Sequence, residues 1–351
     1  MSDLVLICGG AGFIGTNLAS RLLAAGTRVL VYDDLSRAGV DRNLQWLKDT
    51  YGSLLQFELG DIRDARALRR CLRDVSGVYH FAGQTAVTTS LVNPREDFEI
   101  NALGAITLLE ELRALRFPIP LLFTSTNKVY GDLGSIALRR RGSRYEPQHP
   151  GILANGIDEC CPLSFHSPYG CSKGAADQYV LDYARSYGMP NTVFRMSCIY
   201  GPHQCGTEDQ GWVAHFLLQA IAGQQITLYG DGMQVRDVLF VEDLVDAMIL
   251  AQDNATRLGG RAFNIGGGPR NVMSLLELLE IVGELEGQAP SVRFDDWRVG
   301  DQRYYVSDTR AFQSMTGWKH RTSVREGVAA LHRWLIENNE TAREALQRGV
   351  A

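Results

Sequence analysis

The sequence predicts an α/β protein built on a doubly wound parallel sheet, with a smaller C-terminal α/β lobe. Three observations carry that expectation. Short apolar runs alternate with amphipathic helical segments through the first half of the 351-residue chain. One of those runs ends in glycines that open directly onto a helix. Each polar cluster suited to chemistry stands at the carboxyl end of a strand, where open parallel sheets bind their ligands.

Leu4 to Cys8 reads as a buried strand. Gly9-Gly10-Ala11-Gly12-Phe13-Ile14-Gly15 follows, and an amphipathic helix runs from about Phe13 to Ala25, closed by Gly26. Gly9, Gly12 and Gly15 form Gly-x-x-Gly-x-x-Gly between strand and helix, with Phe13 and Ile14 in the first helical turn. Missing side chains there let a pyrophosphate approach backbone N–H groups at a helix N-terminus. A plain glycine turn is the simpler reading, and the strand–turn–helix context argues against it.

The strand Arg28 to Tyr32 ends in Asp33-Asp34, with Ser36 and Arg37 just beyond. An acidic residue about 20 residues past such glycines accepts hydrogen bonds from the adenosine ribose diol. A carboxylate there repels a 2′-phosphate, which favours NAD over NADP, and Arg37 is near enough to soften the preference. A third strand, Leu54 to Leu59, ends in Gly60-Asp61-Ile62. Asp61 is placed to accept from the adenine amino group with Ile62 against the ring, or to cap a helix, and the two roles are compatible.

A fourth strand, Val78 to Phe81, ends in Ala82-Gly83-Gln84. Small residues at this end let the backbone pass close to a cofactor, and Gln84 and Thr88-Thr89-Ser90 then face nicotinamide and sugar. A long helical segment, about Pro94 to Leu115, carries Asn101, and a fifth strand, Pro120 to Phe123, runs into Thr124-Ser125-Thr126-Asn127-Lys128-Val129-Tyr130-Gly131.

Tyr169 and Lys173 are four residues apart, which on a helix places them on one face. An ammonium near a phenol favours the phenolate, and a phenol so tuned can take a proton from a sugar hydroxyl. Ser167 suits the N-cap of that helix and Pro168 its first turn. Alone, Tyr-x-x-x-Lys is common on ordinary helix surfaces.

Composition narrows the function classes. There are 35 Lys and Arg against 40 Asp and Glu, a net charge of -5, so no basic surplus points to nucleic acid or an anionic membrane. No apolar stretch approaches the roughly 20 residues of a membrane span. Met1-Ser2-Asp3 leads into the first strand without the basic flank or length of a signal peptide. The 7 cysteines, an odd number without a Cys-x-x-Cys pair, suggest a reducing cytoplasm and no structural metal. His166, His203 and His215 have no metal-ligand spacing.

Together these motifs resemble the extended short-chain dehydrogenase/reductase family, over nearly the whole chain. The resemblance rests on Gly9/Gly12/Gly15, Asp33, Ser125-Thr-x-x-Val-Tyr-Gly131 and Tyr169/Lys173. It implies that Thr126 is the catalytic hydroxyl beside Tyr169, and that Ser125 and Asn101 are cofactor-side positions. Sugar-nucleotide 4,6-dehydratases of the family carry Asp-Glu after that Thr. Asn127-Lys128 cannot supply that acid–base pair, so dehydration is not expected. The runs Ser125–Asp132, Phe165–Gln178 and Asp209–Val213 are similar to the CDP-tyvelose (CDP-paratose) 2-epimerase group within the family. That implies an NAD-dependent epimerase of a CDP-sugar, with a UDP-hexose 4-epimerase as the alternative and a non-catalytic NAD sensor as an alternative of another class.

Residues 1–190 are then the cofactor domain, with the chain returning to it around 235–265, and 191–351 form mainly the substrate lobe. Leu133 to Ser164 shows little periodicity and reads as a loop, a flap or interface element, with Arg139-Arg140-Arg141 solvated or on a phosphate. Many UDP-hexose relatives carry Asn at the position of Cys198, so Cys198 marks either a differently held substrate or mere packing. Gly211 to Ala222 reads as a helix and Ile226 to Tyr229 as a strand lining the nucleotide base. Arg236 is the candidate pyrophosphate clamp, since a guanidinium matches phosphate oxygens in a fork. The family implies a similar use for Arg303, and a surface ion pair is the alternative for both. Asn264-Ile265-Gly266-Gly267 resembles a family turn, and Ser323 to Asn338 reads as a helix. The family also implies a homodimer or homotetramer joined through helices at about Pro94–Leu115 and Pro168–Ser186.

Overall fold

A computed structural model describes residues 4–298 and 300–338. Met1-Ser2-Asp3 and the last 13 residues of the expected substrate lobe, 339–351, lie outside the described residues. The strands are β1 (Leu4–Cys8), β2 (Arg28–Asp33), β3 (Leu55–Leu59), β4 (Val75–His80), β5 (Leu121–Thr126), β6 (Leu138–Arg141), β7 (Arg144–Pro147) and β8 (Asn191–Met196). They continue with β9 (Cys198–Tyr200), β10 (Ile226–Tyr229), β11 (Val235–Phe240), β12 (Arg261–Ile265), β13 (Val272–Ser274), β14 (Val292–Asp295) and β15 (Tyr304–Tyr305).

Seven of these make the central sheet, in the order β12-β8-β5-β4-β1-β2-β3, every pair parallel. All five residues of β1 are buried, because helices cover both faces of the sheet. On one face Phe13–Ala24, Val40–Tyr51 and Val241–Asp253 pack on Ile7, Val31 and Leu122. On the other, Ala65–Cys71, Gly104–Arg113 and Ser167–Tyr187 pack on Leu6, Val78 and Phe123. The order runs outward from β1 in both directions, so a crevice opens between the carboxyl ends of β1 and β4. This is the Rossmann topology, and ligands bind at that switch point.

The second layer is smaller. β11 pairs with β13, β15 and β9, and β10 pairs with β14. Helices Trp212–Ile221, Leu275–Glu286 and Val324–Asn338 close a core around Phe216, Leu228 and Leu331. Because β9 follows β8 after one residue, the smaller sheet starts at the edge of the site.

Three local expectations change. The stretch from Leu133 to Ser164 is not a loop: β6 and β7 form an antiparallel hairpin and Pro150–Asn155 a helix. The hairpin is sewn to the smaller lobe by Tyr145 to Asp231 (2.6 Å) and by the fork of Arg144 on Glu277 (2.6 and 2.7 Å). Arg139 and Arg141 pair with Glu146 and Arg140 with Asp231, so none of the three is free for a phosphate. The Pro94–Leu115 segment is helical, but residues Glu99–Leu103 widen into a π turn. Asn101 sits in that turn, and such bulges are enriched at functional sites.

Candidate active site

The glycine turn folds as its spacing requires. Gly9 adopts φ +78°, and a Cβ there would lie 2.5 Å from the Ala82 nitrogen, so β1 and β4 can meet at this point only without a side chain. A Cβ on Gly12 would meet only the Gly9 carbonyl, at 3.3 Å, which leaves the N-terminus of Phe13–Ala24 open. Gly15 lies against Gly9 and Gly10 backbone. Ile14 packs on the core, and Phe13 is half-buried.

Asp33 fixes the turn from the neighbouring strand. Its carboxylate accepts from the Ala11 N–H and the Leu35 N–H, both at 3.0 Å. Burial raises its pKa, and a carboxylate has further lone pairs to offer. Asp34 accepts instead from Ser36, at its N–H (3.0 Å) and hydroxyl (2.7 Å). Arg37 departs from expectation: it donates to Thr85 (3.1 Å) and Gln210 (2.6 Å), so its guanidinium is committed across the cleft.

Asp61 also departs. Arg63 grips it at 2.9 and 2.5 Å and holds its carboxyl below the usual range. It is not the helix cap: Asp64 accepts from the N–H groups of Arg66 and Ala67 instead. Ile62 is buried in the core beneath Gly104, not laid open for a ring. Phe81 likewise turns its ring into the core by Tyr79; Phe81 and Ala82 reach the site through main chain hydrogen-bonded to Cys8.

Around the crevice several buried polar atoms have no partner among the described residues: Oε1 of Gln84, Oγ1 of Thr88, Oδ1 of Asn101 and Oγ of Ser125. Gly83 leaves room for Asn101, whose Oδ1 would be 2.7 Å from a Cβ there. Buried polar groups are rarely left unpaired, and such a cluster at strand ends marks a ligand surface. With the open glycine turn, this fits a dinucleotide. Thr124 is different: its hydroxyl donates to the His80 carbonyl within the sheet.

Helix Ser167–Tyr187 brings Tyr169 to the end of β5, beside the Thr126 hydroxyl, which lowers the phenol's pKa. Ser167 accepts from the Gly170 N–H at 3.2 Å, so its oxygen caps the first turn while its own φ is +67°. The Thr126 hydroxyl accepts from the Lys128 N–H (3.2 Å) and donates to Asn127 Oδ1 (3.3 Å). The expected tuning of the phenol by Lys173 is corrected. Lys173 donates to the Thr124 carbonyl at 2.7 Å, with Nζ 4.3 Å from the centre of the Phe123 ring. Burial pushes Tyr169 up to about 12, opposed by the neighbouring Thr126 hydroxyl, and pushes Lys173 down to about 8.

The other wall belongs to the smaller lobe. A cavity of about 540 Å³ is lined by His166, Ser167, Trp297, Arg298, Asp301 and Arg303, among others. Arg303 lies near the rings of Trp297 and Tyr145. Arg236 is buried, donating to Asp301 at 2.7 Å. Cys198 accepts from the Trp212 indole at 3.4 Å, and burial raises its thiol. Tyr229 hydrogen-bonds Glu208 and is covered by Arg298, 3.8 Å from its ring centre. Sequence reasoning missed Arg298, although it stands three residues ahead of Asp301. It also missed that Gln210 and Asn43 tie residues 203–210 to the cofactor side, Asn43 bridging the Ala11 and His203 carbonyls.

Fold and crevice define a dinucleotide-dependent enzyme class, and the comparisons agree. The NAD dependent epimerase/dehydratase family profile matches residues 5–266. The chain belongs to that family, and NAD is its cofactor. It is 42% identical over 341 residues to a CDP-paratose 2-epimerase of Salmonella typhi, covering 94% of this chain and 98% of the relative. It is 31% identical to a UDP-glucose 4-epimerase of Mycolicibacterium smegmatis, covering 92% and 96%. Among solved structures, the NAD complex of a UDP-glucose 4-epimerase from Thermus thermophilus superposes with TM-score 0.79 at 30% identity, covering 95% and 99%. The family resemblance and the Rossmann fold read from the sequence are therefore borne out.

Proposed function

We propose that this protein epimerises a CDP-sugar at C2 through a transient 2-ketosugar. The observation that carries the reading is the Thr126–Tyr169 hydroxyl pair at the end of β5, followed by Asn127-Lys128 where water elimination would need two carboxylates. The 42% identity to a CDP-paratose 2-epimerase supports the choice of base and carbon. When bound, NAD would supply a reversible hydride acceptor for C2, so that the hydride removed from one face could be restored to the other.

The chain's own residues do the rest. Gly9, Gly12 and Gly15 admit the pyrophosphate of the cofactor, and Asp33 accepts from the ribose diol. Gln84, Asn101 and Ser125 offer their unpartnered oxygens to the nicotinamide side. Tyr169 takes and returns the C2 hydroxyl proton while Thr126 hydrogen-bonds the same oxygen. Lys173, anchored on Thr124, holds the nicotinamide ribose. Thr88 faces the sugar, and Arg236, Arg303, Cys198 and Tyr229 line the path of the nucleotide.

Exposed Phe98, Leu103, Tyr179 and Tyr187 lie on the two long helical segments, which supports pairing with a second copy there. Light scattering reporting a monomer would remove that part. All seven cysteines are free, which suits a reducing compartment such as the cytoplasm. Among the described residues no helix is long and apolar enough to cross a membrane.

The test is incubation of the pure protein with CDP- and UDP-sugars and assignment of the inverted carbon by NMR. Inversion at C2 of a CDP-sugar is expected. UDP-galactose formed from UDP-glucose, with inert CDP-sugars, would replace this reading with 4-epimerisation.

A further inference from the structure

Lys128 is a cation that the reaction outlined above does not use. It follows Thr126 by two residues, and its N–H is held by the Thr126 oxygen at 3.2 Å, so its place beside the reacting hydroxyls is fixed. Its side chain runs to the other wall of the cleft. Nζ donates to the Gly300 carbonyl at 3.1 Å and stands 3.8 Å from Asp301. An ammonium has three N–H donors, and among the described residues one of them meets an acceptor within hydrogen-bond distance. Asp301 is itself shared, since the same Oδ1 accepts from Arg236 at 2.7 Å. One carboxylate thus serves two cations, Lys128 and Arg236; on the adjoining cavity Arg298 is matched by Glu208 and Asp209, and Arg303 lies by the Trp297 ring. Burial pushes the Lys128 pKa down to about 8, as expected for a cation short of partners. Two cations sharing one carboxylate in a half-buried cleft are under-compensated in the free protein, which suits an anionic ligand between them.

The contacts give the order along the cleft. Thr126 and Tyr169 mark the sugar end. Tyr229 under Arg298 marks the far end. Lys128, Asp301 and Arg236 lie between, joined by the contacts just given. A nucleoside diphosphate sugar threads such a path as nucleoside, α-phosphate, β-phosphate and sugar. The cation two residues from Thr126 meets the phosphate that carries the sugar.

We propose that Lys128 is a binding residue for the β-phosphate of the sugar nucleotide, and that it exchanges Asp301 for that phosphate when the substrate enters. The proposal rests on the nucleotide-sugar reading above and deepens it. It gives residue 128 a positive role: an anchor next to the anomeric carbon holds the diphosphate while the sugar turns its other face.

The test is calorimetric titration of the NAD-loaded enzyme with CDP and with CMP, which lacks the β-phosphate, in wild type, Lys128→Met and Lys128→Arg. Should the wild type prefer uridine nucleotides, UDP and UMP are the pair. The expected result is a ten-fold or greater loss of diphosphate affinity in Lys128→Met, monophosphate affinity within two-fold of wild type, and recovery of most of the loss in Lys128→Arg. Unchanged diphosphate affinity in Lys128→Met would overturn the proposal. Equal weakening of both nucleotides would also overturn it, because it would make Lys128 a bracket for Gly300 and Asp301. Either result, with a wild type that still binds CDP, leaves the epimerase reading standing. A wild type that binds no nucleoside diphosphate sinks both.

Discussion

The Lys173 ammonium donates to the Thr124 carbonyl at 2.7 Å, a bond from the catalytic helix to the edge of the sheet. The charges that act on the Tyr169 phenol are Asp97, which raises its pKa, and Arg37, which lowers it, and both are secondary to burial. Four-residue spacing places Tyr169 and Lys173 on one face, yet the long lysine side chain reaches past the phenol.

The ligand-free phenol is therefore expected to stay protonated well above neutrality, near its value of about 12. Stripped of NAD, wild type and Tyr169→Phe should show the same phenolate absorbance from pH 7 to 10. A wild-type phenolate step near pH 7 to 8, missing from the variant, would restore tuning by Lys173 alone.

Lys173 has a second consequence, for stability. Its folded pKa of about 8 lies below the ordinary 10.5, so the unfolded chain binds the proton more tightly. Stability linked to this group is present above the unfolded value and is lost as pH falls through 8; as a cation it destabilises the fold by up to about 3 kcal/mol. From pH 7 to 10 the wild type should gain stability relative to Lys173→Met, measured by urea unfolding at each pH. A constant difference between the two proteins across that range contradicts the assignment.

Removing the hydroxyl pair should separate chemistry from binding. Tyr169→Phe is expected to lower kcat by about 10²–10⁴, the usual contribution of a positioned acid–base group. Thr126→Val should lower it less, because Tyr169 still reaches the sugar. Neither should change Kd for the nucleotide more than a few-fold in equilibrium titration.

Gln210 bridges Arg37 and Thr85, and Glu208 and Asp209 next to it pair with Arg298. Residues 208–210 thus tie the loop after β2 to the substrate side. Arg37→Ala should release this tie and speed NAD loss about ten-fold, read as cofactor retained after repeated gel filtration. Retention equal to wild type would mean that residues 208–210 do not hold the cofactor in.

What could be read from the chain follows the range of the forces involved. β1 and its glycine turn were legible because a fully buried parallel strand is a continuous apolar run, and a close backbone approach needs glycine. Tyr169 and Thr126 were legible through local motifs. The capping of Ala65–Cys71 by Asp64 in place of Asp61 turned on a three-residue offset between equivalent carboxylates, which Arg63 decides by capturing Asp61. The β6–β7 hairpin was missed because three arginines in a row show no alternation, and the anchor that holds Arg140 and Tyr145, Asp231, lies far along the chain. The Arg37–Gln210 contact joins residues 173 positions apart, and no local pattern announces such a pair.

The most direct test of the account uses CDP-paratose carrying deuterium at C2, incubated with the enzyme in ordinary water and followed by NMR. CDP-tyvelose with the deuterium still at C2 is expected, because the hydride that leaves one face returns to the other without meeting solvent. Loss of the deuterium to water, or inversion at C4 with C2 untouched, would contradict it.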